Sequence, residues 1–179
     1  MLPLLIASVL TAGGFEAGGR IGVAFPSSGL ENTHDAAATF GATVGYRAGQ
    51  NRLMLDYGYT GLRAKQASSY QFNVHDILVS YGHEFVLGRS ASASSSNWGI
   101  EASASAGLGL LSRTFGSAGE TGRSPSGMIG VGFYQLQGHS RLSFGIDNLL
   151  FGESRPVGNT SSVSLTYMLA LKGGVAYVF

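Results

Sequence analysis

From Phe15 to Phe179 the apolar residues return at every second position. That period admits strands and excludes amphipathic helices, whose apolar positions recur every three to four residues. In residues 98–113, Trp98, Ile100, Ala102, Ala104, Ala106, Leu108 and Leu110 alternate with Gly99, Glu101, Ser103, Ser105, Gly107 and Gly109. In residues 162–179, Val163, Leu165, Tyr167, Leu169, Leu171, Val175, Tyr177 and Phe179 fall on one face, with Ser162, Ser164, Thr166, Lys172, Gly174 and Ala176 on the other. The same alternation occupies 20–25, 40–46, 53–59, 75–85, 127–136 and 141–147. The expectation is an all-β chain of about eight strands, an even number that lets an up-and-down sheet close on itself. Polar connections rich in Gly, Ser, Asn and Asp are expected at 27–35, 61–69, 112–126 and 152–161, short turns at 48–50 and 137–140, and a long serine-rich turn at 88–97.

Alternation does not say which face meets water, because a soluble barrel, a sandwich and a membrane barrel all alternate. Composition separates them. Only 12% of the 179 residues are charged, about half the usual share, and 28 are glycine. Mean hydropathy is +0.17, and no apolar run reaches the roughly 18 residues of a spanning helix. The polar face carries Gly, Ser, Thr and Ala instead of the long polar side chains a water-facing sheet wears. Small residues suit a narrow, filled lumen. The expected fold is therefore a transmembrane antiparallel up-and-down β-barrel, apolar outside. A soluble lipocalin-like ligand-binding barrel is the alternative.

On the inner face the alternation places Arg20, Arg47, Arg52, Asp56, Asp76, Glu84, Glu101, Arg113, Arg141, Asp147 and Lys172. Such charges have to pair, since an unpaired buried charge costs several kcal/mol. The expected network comprises Arg20, Asp56, Asp76, Glu101, Arg113, Arg141, Asp147 and Lys172. On the outer face, aromatics near strand ends suggest two membrane-interface belts. One holds Phe15, Tyr46, Tyr81, Phe85, Trp98, Phe144 and Tyr177; the other holds Phe25, Phe40, Tyr57, Tyr59 and Phe151.

The chain closes with Lys172, Gly174, Tyr177 and Phe179 at the spacing polar, glycine, aromatic, aromatic. This resembles the C-terminal β-signal of outer-membrane proteins. Taken with the strand count, residues 15–179 resemble small eight-stranded bacterial outer-membrane barrels of the OmpA/OmpX kind. The resemblance implies export to the outer membrane, contact with its lipid and lipopolysaccharide, and recognition of the last strand by the barrel-assembly machinery. It also implies a structural, adhesive or loop-mediated role, with an extracellular partner at the loops. Residues 2–10, followed by Thr11, Ala12, Gly13 and Gly14, resemble the apolar core and cleavage zone of a secretory signal. That gives a signal segment at 1–13 and a barrel domain at 14–179.

Other function classes find little support. A net charge of +1 leaves no basic excess for nucleic acid, and the absence of cysteine removes disulfides and thiolate metal sites. The histidines, His34, His75, His83 and His139, are scattered without metal-ligand spacing, so neither metal nor other cofactor is expected. Some barrels of this size modify lipid A, which makes His139 beside Ser140, and His75 with Ser112, the pairs to inspect for a base and a nucleophile. Eight strands leave a lumen that side chains just fill, whereas aqueous channels take about 16. The expectation is a plug of small and charged side chains, not a pore.

Overall fold

The computed structural model describes residues 13–27, 30–66, 70–89, 96–115, 117–157 and 160–179. The strands are β1 (Gly13–Pro26), β2 (Ala37–Ala48), β3 (Asn51–Arg63), β4 (Tyr70–Arg89), β5 (Ser96–Phe115), β6 (Ala118–Gln137), β7 (Ser140–Val157) and β8 (Thr160–Val178). Each pairs antiparallel with the next, and β1 pairs with β8, closing the barrel. Closure satisfies every strand edge within the pairing zone, the condition for placing backbone in hydrocarbon. Residues 1–12 of the expected signal segment and the serine-rich centre of the 88–97 turn, 90–95, lie outside the described residues. Gly13, assigned above to the signal segment, pairs with Ala48 as the first residue of β1.

One rim carries Gly13, Phe179 and two tight hairpins. At each hairpin a glycine holds positive φ, Gly49 at 61° and Gly138 at 57°. Two-residue turns demand that left-handed backbone to match strand twist, and a residue with a Cβ adopts it at a cost. At the far rim the chain departs from the expected connections. Residues 112–126 are not a loop: β5 and β6 stay paired to Phe115↔Ala118. Residues 152–161 likewise continue the β7–β8 ladder to Val157↔Thr160. The Gly- and Ser-rich composition that reads as loop here marks continued strand, paired with β4 as well as β6 along 112–115 and within the β7–β8 ladder alone beyond Phe151. Backbone pairing needs no side-chain pattern, so periodicity goes silent while the ladder continues. The described part of the 27–35 connection contains a 3-10 turn, Leu30–Asn32, and its His34 bridges Ala64.

A membrane crossing takes roughly 9–11 residues per strand. The first three strands, of 14, 12 and 13 residues, barely exceed it, while β4 to β8, of 18 to 20, continue well past the far side. The outward face is apolar along every strand: Ile21, Val44, Leu55, Val79, Leu108, Ile129, Phe144 and Leu165 are all exposed. The lumen has two layers. Toward the terminal rim it holds charges; toward the far rim it is packed with Leu30, Leu62, Phe72, Val74, Leu78, Leu111, Met128, Leu149, Phe151 and Met168. The charged side chains of the plug thus lie in one half, while the other is largely apolar with small Thr39, Thr60, Ser126 and Thr166 buried among its residues.

Phe151 corrects the aromatic assignment. It is fully buried inside, its ring 6.1 Å from that of Phe72, and takes no part in an outer belt. It shares its parity on β7 with Arg141 and Asp147, both inward, which places it on the lumenal face.

Candidate functional site

The charged layer divides into two groups. Nearest the terminal rim, six side chains alternate in sign along one continuous path. Glu16 of β1 accepts from Arg52 of β3, through Nη2 and through Nε at 3.1 Å. Arg52 Nη1 donates to both oxygens of Glu101 on β5, at 2.6 and 2.7 Å. Glu101 also accepts from Arg141 Nη2 of β7. Arg141 Nε reaches Glu84 of β4 at 3.3 Å, and Arg47 of β2 completes the path with Nη2 2.5 Å from Glu84. Three carboxylates face three guanidinium groups, drawn from six strands, with Glu16 and Glu84 fully buried. The planar forks of arginine suit this, since each can serve two carboxylates at once. Tyr134 sits beneath, its ring 5.0 Å from the Arg141 guanidinium carbon.

Farther along the axis, Arg20 of β1 lies 3.1 Å from Asp56 of β3 and 3.9 Å from Asp147 of β7. Lys172 of β8 meets the same Asp147 at 3.2 Å, and Ser80 donates to Asp56. Asp76 of β4 is buried beside this group, facing Gly58. Between the groups lies a cavity of about 120 Å³, bordered by Glu16, Arg20, Arg52, Asp56, Glu101 and Lys172.

Glycines give these side chains their room. A Cβ on Gly82 would lie 2.5 Å from Glu101 Oε1, and one on Gly41 would lie 2.9 Å from Arg20 Nε. Gly130 stands against the Asp147 carboxylate in the same way. The excess of glycine on the inner face therefore has a steric reason: large charged residues fill the bore, and a glycine on the neighbouring strand leaves them room.

Of the residues expected in one network, the structure brings together Glu101 with Arg141, and Arg20, Asp56, Asp147 and Lys172, with Asp76 beside them. Arg113 stands apart. It lies near the far rim with its guanidinium carbon 5.4 Å from the Phe72 ring centre, opposite Glu120 in the β5–β6 register. Parity placed it on the right face, but twelve residues separate it from Glu101, about 40 Å of strand. Arg47, Arg52 and Glu84 were read on the inner face but left out of the expected network, and Glu16 was missed altogether. Its signal was available, since it shares the parity of Arg20 on β1.

The outward aromatics Phe15, Tyr81, Phe85, Trp98, Phe144 and Tyr177 ring the terminal half, with Tyr46 edge-on to Phe15 at 5.6 Å. Phe25, Phe40 and Tyr57 are exposed in the far half, and Tyr59 stands beside them. In the last strand, Lys172 points inward to Asp147 and Gly174 pairs with Arg20. Tyr177 and Phe179 face outward, rings 5.0 Å apart, and the Phe179 N–H donates to Phe15 O at 2.8 Å.

The histidines sit in four different settings. His34 is buried, with Thr33 Oγ1 2.8 Å from its Nδ1 and Phe72 alongside. His83 lies at the terminal rim with its Nδ1 2.9 Å from Asn51 Oδ1, and His139 stacks on Tyr177 at 5.4 Å with its Nδ1 against Val178 O. His75 is outward, its Nδ1 2.9 Å from the Tyr57 hydroxyl and its ring 4.9 Å from Tyr59. Ser112 pairs with Asn73, so it is a diagonal neighbour of His75, about 7–8 Å away, and is not its hydrogen-bond partner. Among the described residues no group of three or more potential metal ligands forms.

A closed eight-strand barrel with an apolar exterior and an ion-paired lumen is the fold of the small outer-membrane barrels. Neisserial surface protein A matches it with a TM-score of 0.68 at 20% identity, over 93% of this chain and 97% of that one. The N-terminal β-barrel domain of Pseudomonas aeruginosa OprF matches with a TM-score of 0.53 at 13% identity, over 92% and 98%. No family profile matches the sequence, and no curated protein matches it either.

Proposed function

We propose that this chain is an integral outer-membrane barrel that presents a protruding interaction surface to the exterior, with the lumen closed by its own side chains. The observation that carries the reading is the inverted distribution of polarity. Apolar side chains face out along all eight strands, while the acidic and basic groups pair inside. Water-soluble barrels arrange these the other way round. The short-turn rim, which carries Gly13 and Phe179, lies in the periplasm, and β4 to β8 rise from the opposite side. The role is interactive, because rigid scaffolds place recognition on the segments they project. The outward, aromatic-bearing last strand, with Lys172, Gly174, Tyr177 and Phe179, serves as the assembly signal for insertion. With the lumen filled by these two layers, planar bilayers containing the protein are expected to conduct no stable large current.

Single cysteines test the orientation, since the chain has none of its own. Ser117→Cys lies at the β5–β6 tip and Gln50→Cys at the β2–β3 turn. A membrane-impermeant maleimide added to intact cells labels the first and spares the second until the outer membrane is opened. Labelling of Gln50→Cys alone on intact cells overturns the reading.

A further inference from the structure

The outward face of β3 to β6 changes character just beyond the far aromatic belt. Cross-strand pairing there sets Tyr59 beside His75, His75 beside Leu110, and Leu110 beside Arg123. The next outward rows are Gly61, Asn73, Ser112 and Thr121, then Arg63, Gln71 and Thr114. A polar ladder thus spans four strands directly above apolar Ile77 and Leu108, with an arginine at each end. At one end a groove of about 510 Å³ opens, floored by Ala38, Phe40, Tyr59 and Gly61 and edged by Arg63 and Asn73. Gly61 keeps it open, for a Cβ there would lie 2.8 Å from Tyr59 Oη and 3.1 Å from Asn73 Oδ1.

We propose that this face is a binding site for a phosphorylated glycolipid of the outer leaflet, namely lipopolysaccharide. Its phosphates would lie on Arg63 and Arg123, its sugars along the ladder and an acyl chain in the groove. The inference rests on the orientation given above, which puts this level at the outer headgroups. Charge complementarity selects the ligand. Arg63 and Arg123 are exposed cations at the boundary between the apolar band and water, where arginine recognises phosphate with two parallel hydrogen bonds. The groove lining includes one acidic residue, Asp35, whose backbone N–H donates to Arg63 O at 3.1 Å. Three strand spacings, about 14 Å, separate β3 from β6, and Arg63 stands level with Gly119, about 13 Å along β6 from Arg123. The two backbones are thus about 19 Å apart, and the long arginine side chains, reaching toward each other, shorten that span to that of a headgroup phosphorylated at both ends. Hydroxyl and amide side chains between the arginines match sugar hydroxyls, while an ordinary phospholipid would use neither the ladder nor the second arginine.

The test is native mass spectrometry of the detergent-folded barrel titrated separately with lipopolysaccharide, with the same lipid stripped of its lipid A phosphates, and with phosphatidylglycerol. The expected order is strong retention of the first and weak retention of the other two. Arg63→Gln and Arg123→Gln should each weaken lipopolysaccharide binding about tenfold. Gly61→Trp, with both arginines intact, should do so by filling the groove. His83→Gln at the opposite rim should change nothing. Unaltered heat-dependent gel mobility of each variant establishes that it is folded. Equal binding by the double arginine variant, or equal retention of dephosphorylated lipid or phosphatidylglycerol, overturns the site. If Ser117→Cys is labelled on cells while the double variant still binds, the site fails and the orientation stands. If the labelling is reversed, the orientation itself has failed.

Discussion

Glu101 holds the middle of the six-membered ion-pair path, and neutralising it by Glu101→Gln tests whether that path stabilises the barrel. Two guanidinium groups, of Arg52 and Arg141, direct hydrogen bonds at this carboxylate, whose side chain is 16% exposed. At a separation of about 4 Å each pair has a gross attraction of roughly 4 kcal/mol in surroundings of intermediate polarity. Part of that loss is returned, because the amide keeps a hydrogen-bond acceptor and costs less to desolvate. Arg52 also keeps Glu16, and Arg141 keeps Glu84. The net cost expected is about 3 kcal/mol, at the low end for breaking a buried pair. Arg52→Met should cost more, about 4 kcal/mol, since it strips the fully buried Glu16 of its cation. The two changes together restore neutrality, leaving Glu16 and Glu84 against Arg47 and Arg141. The double variant should therefore lose about 4 kcal/mol and not the sum of about 7, a coupling of about 3 kcal/mol. Urea unfolding from lipid bilayers, followed by fluorescence of the single tryptophan, Trp98, supplies the free energies. A cost for Glu101→Gln below about 0.5 kcal/mol, or simple additivity in the double variant, would refute the reasoning.

The apolar half of the plug makes a separate prediction. Phe151→Ala opens a cavity among Phe72 and its neighbours and should cost about 3–5 kcal/mol, whereas Phe144→Ala, at a lipid-facing position, should cost far less in the same assay. Gly138→Val forces a β-branched residue into positive φ and should destabilise by about 1–3 kcal/mol; Gly173→Val, within β8 and outside that region, should not show this cost.

The exterior was legible because a lipid-facing strand must be apolar at every second position, and Ile77, Val79 and Tyr81 show that rule without interruption. The lumen was legible only in part. Parity assigns a residue to a face but not to a height along the axis, so Arg113 joined a network from which some 40 Å of strand separates it. Parity also says nothing against apolar residues inside. Phe72, Leu78 and Phe151 sit on the lumenal face, where a run such as Val74 to Val79 can be read in either register. Glu16 was hidden because the segment carrying the β1 pattern was begun four residues later, at Arg20. The far-rim ribbons were missed for a different reason: their order comes from backbone ladders, and Gly, Ser and Thr carry no signature distinguishing a solvated ribbon from a loop.

The central claim is a closed barrel seated in an outer membrane, and gel mobility of the detergent-extracted protein tests it most directly. The membrane fraction is separated first, and the sample is run with and without boiling. The account predicts the protein in the outer-membrane fraction, with unboiled material migrating differently from boiled because the closed ladder resists detergent. Soluble protein with identical mobility in both lanes would contradict it, and would mean that the apolar face is turned inward.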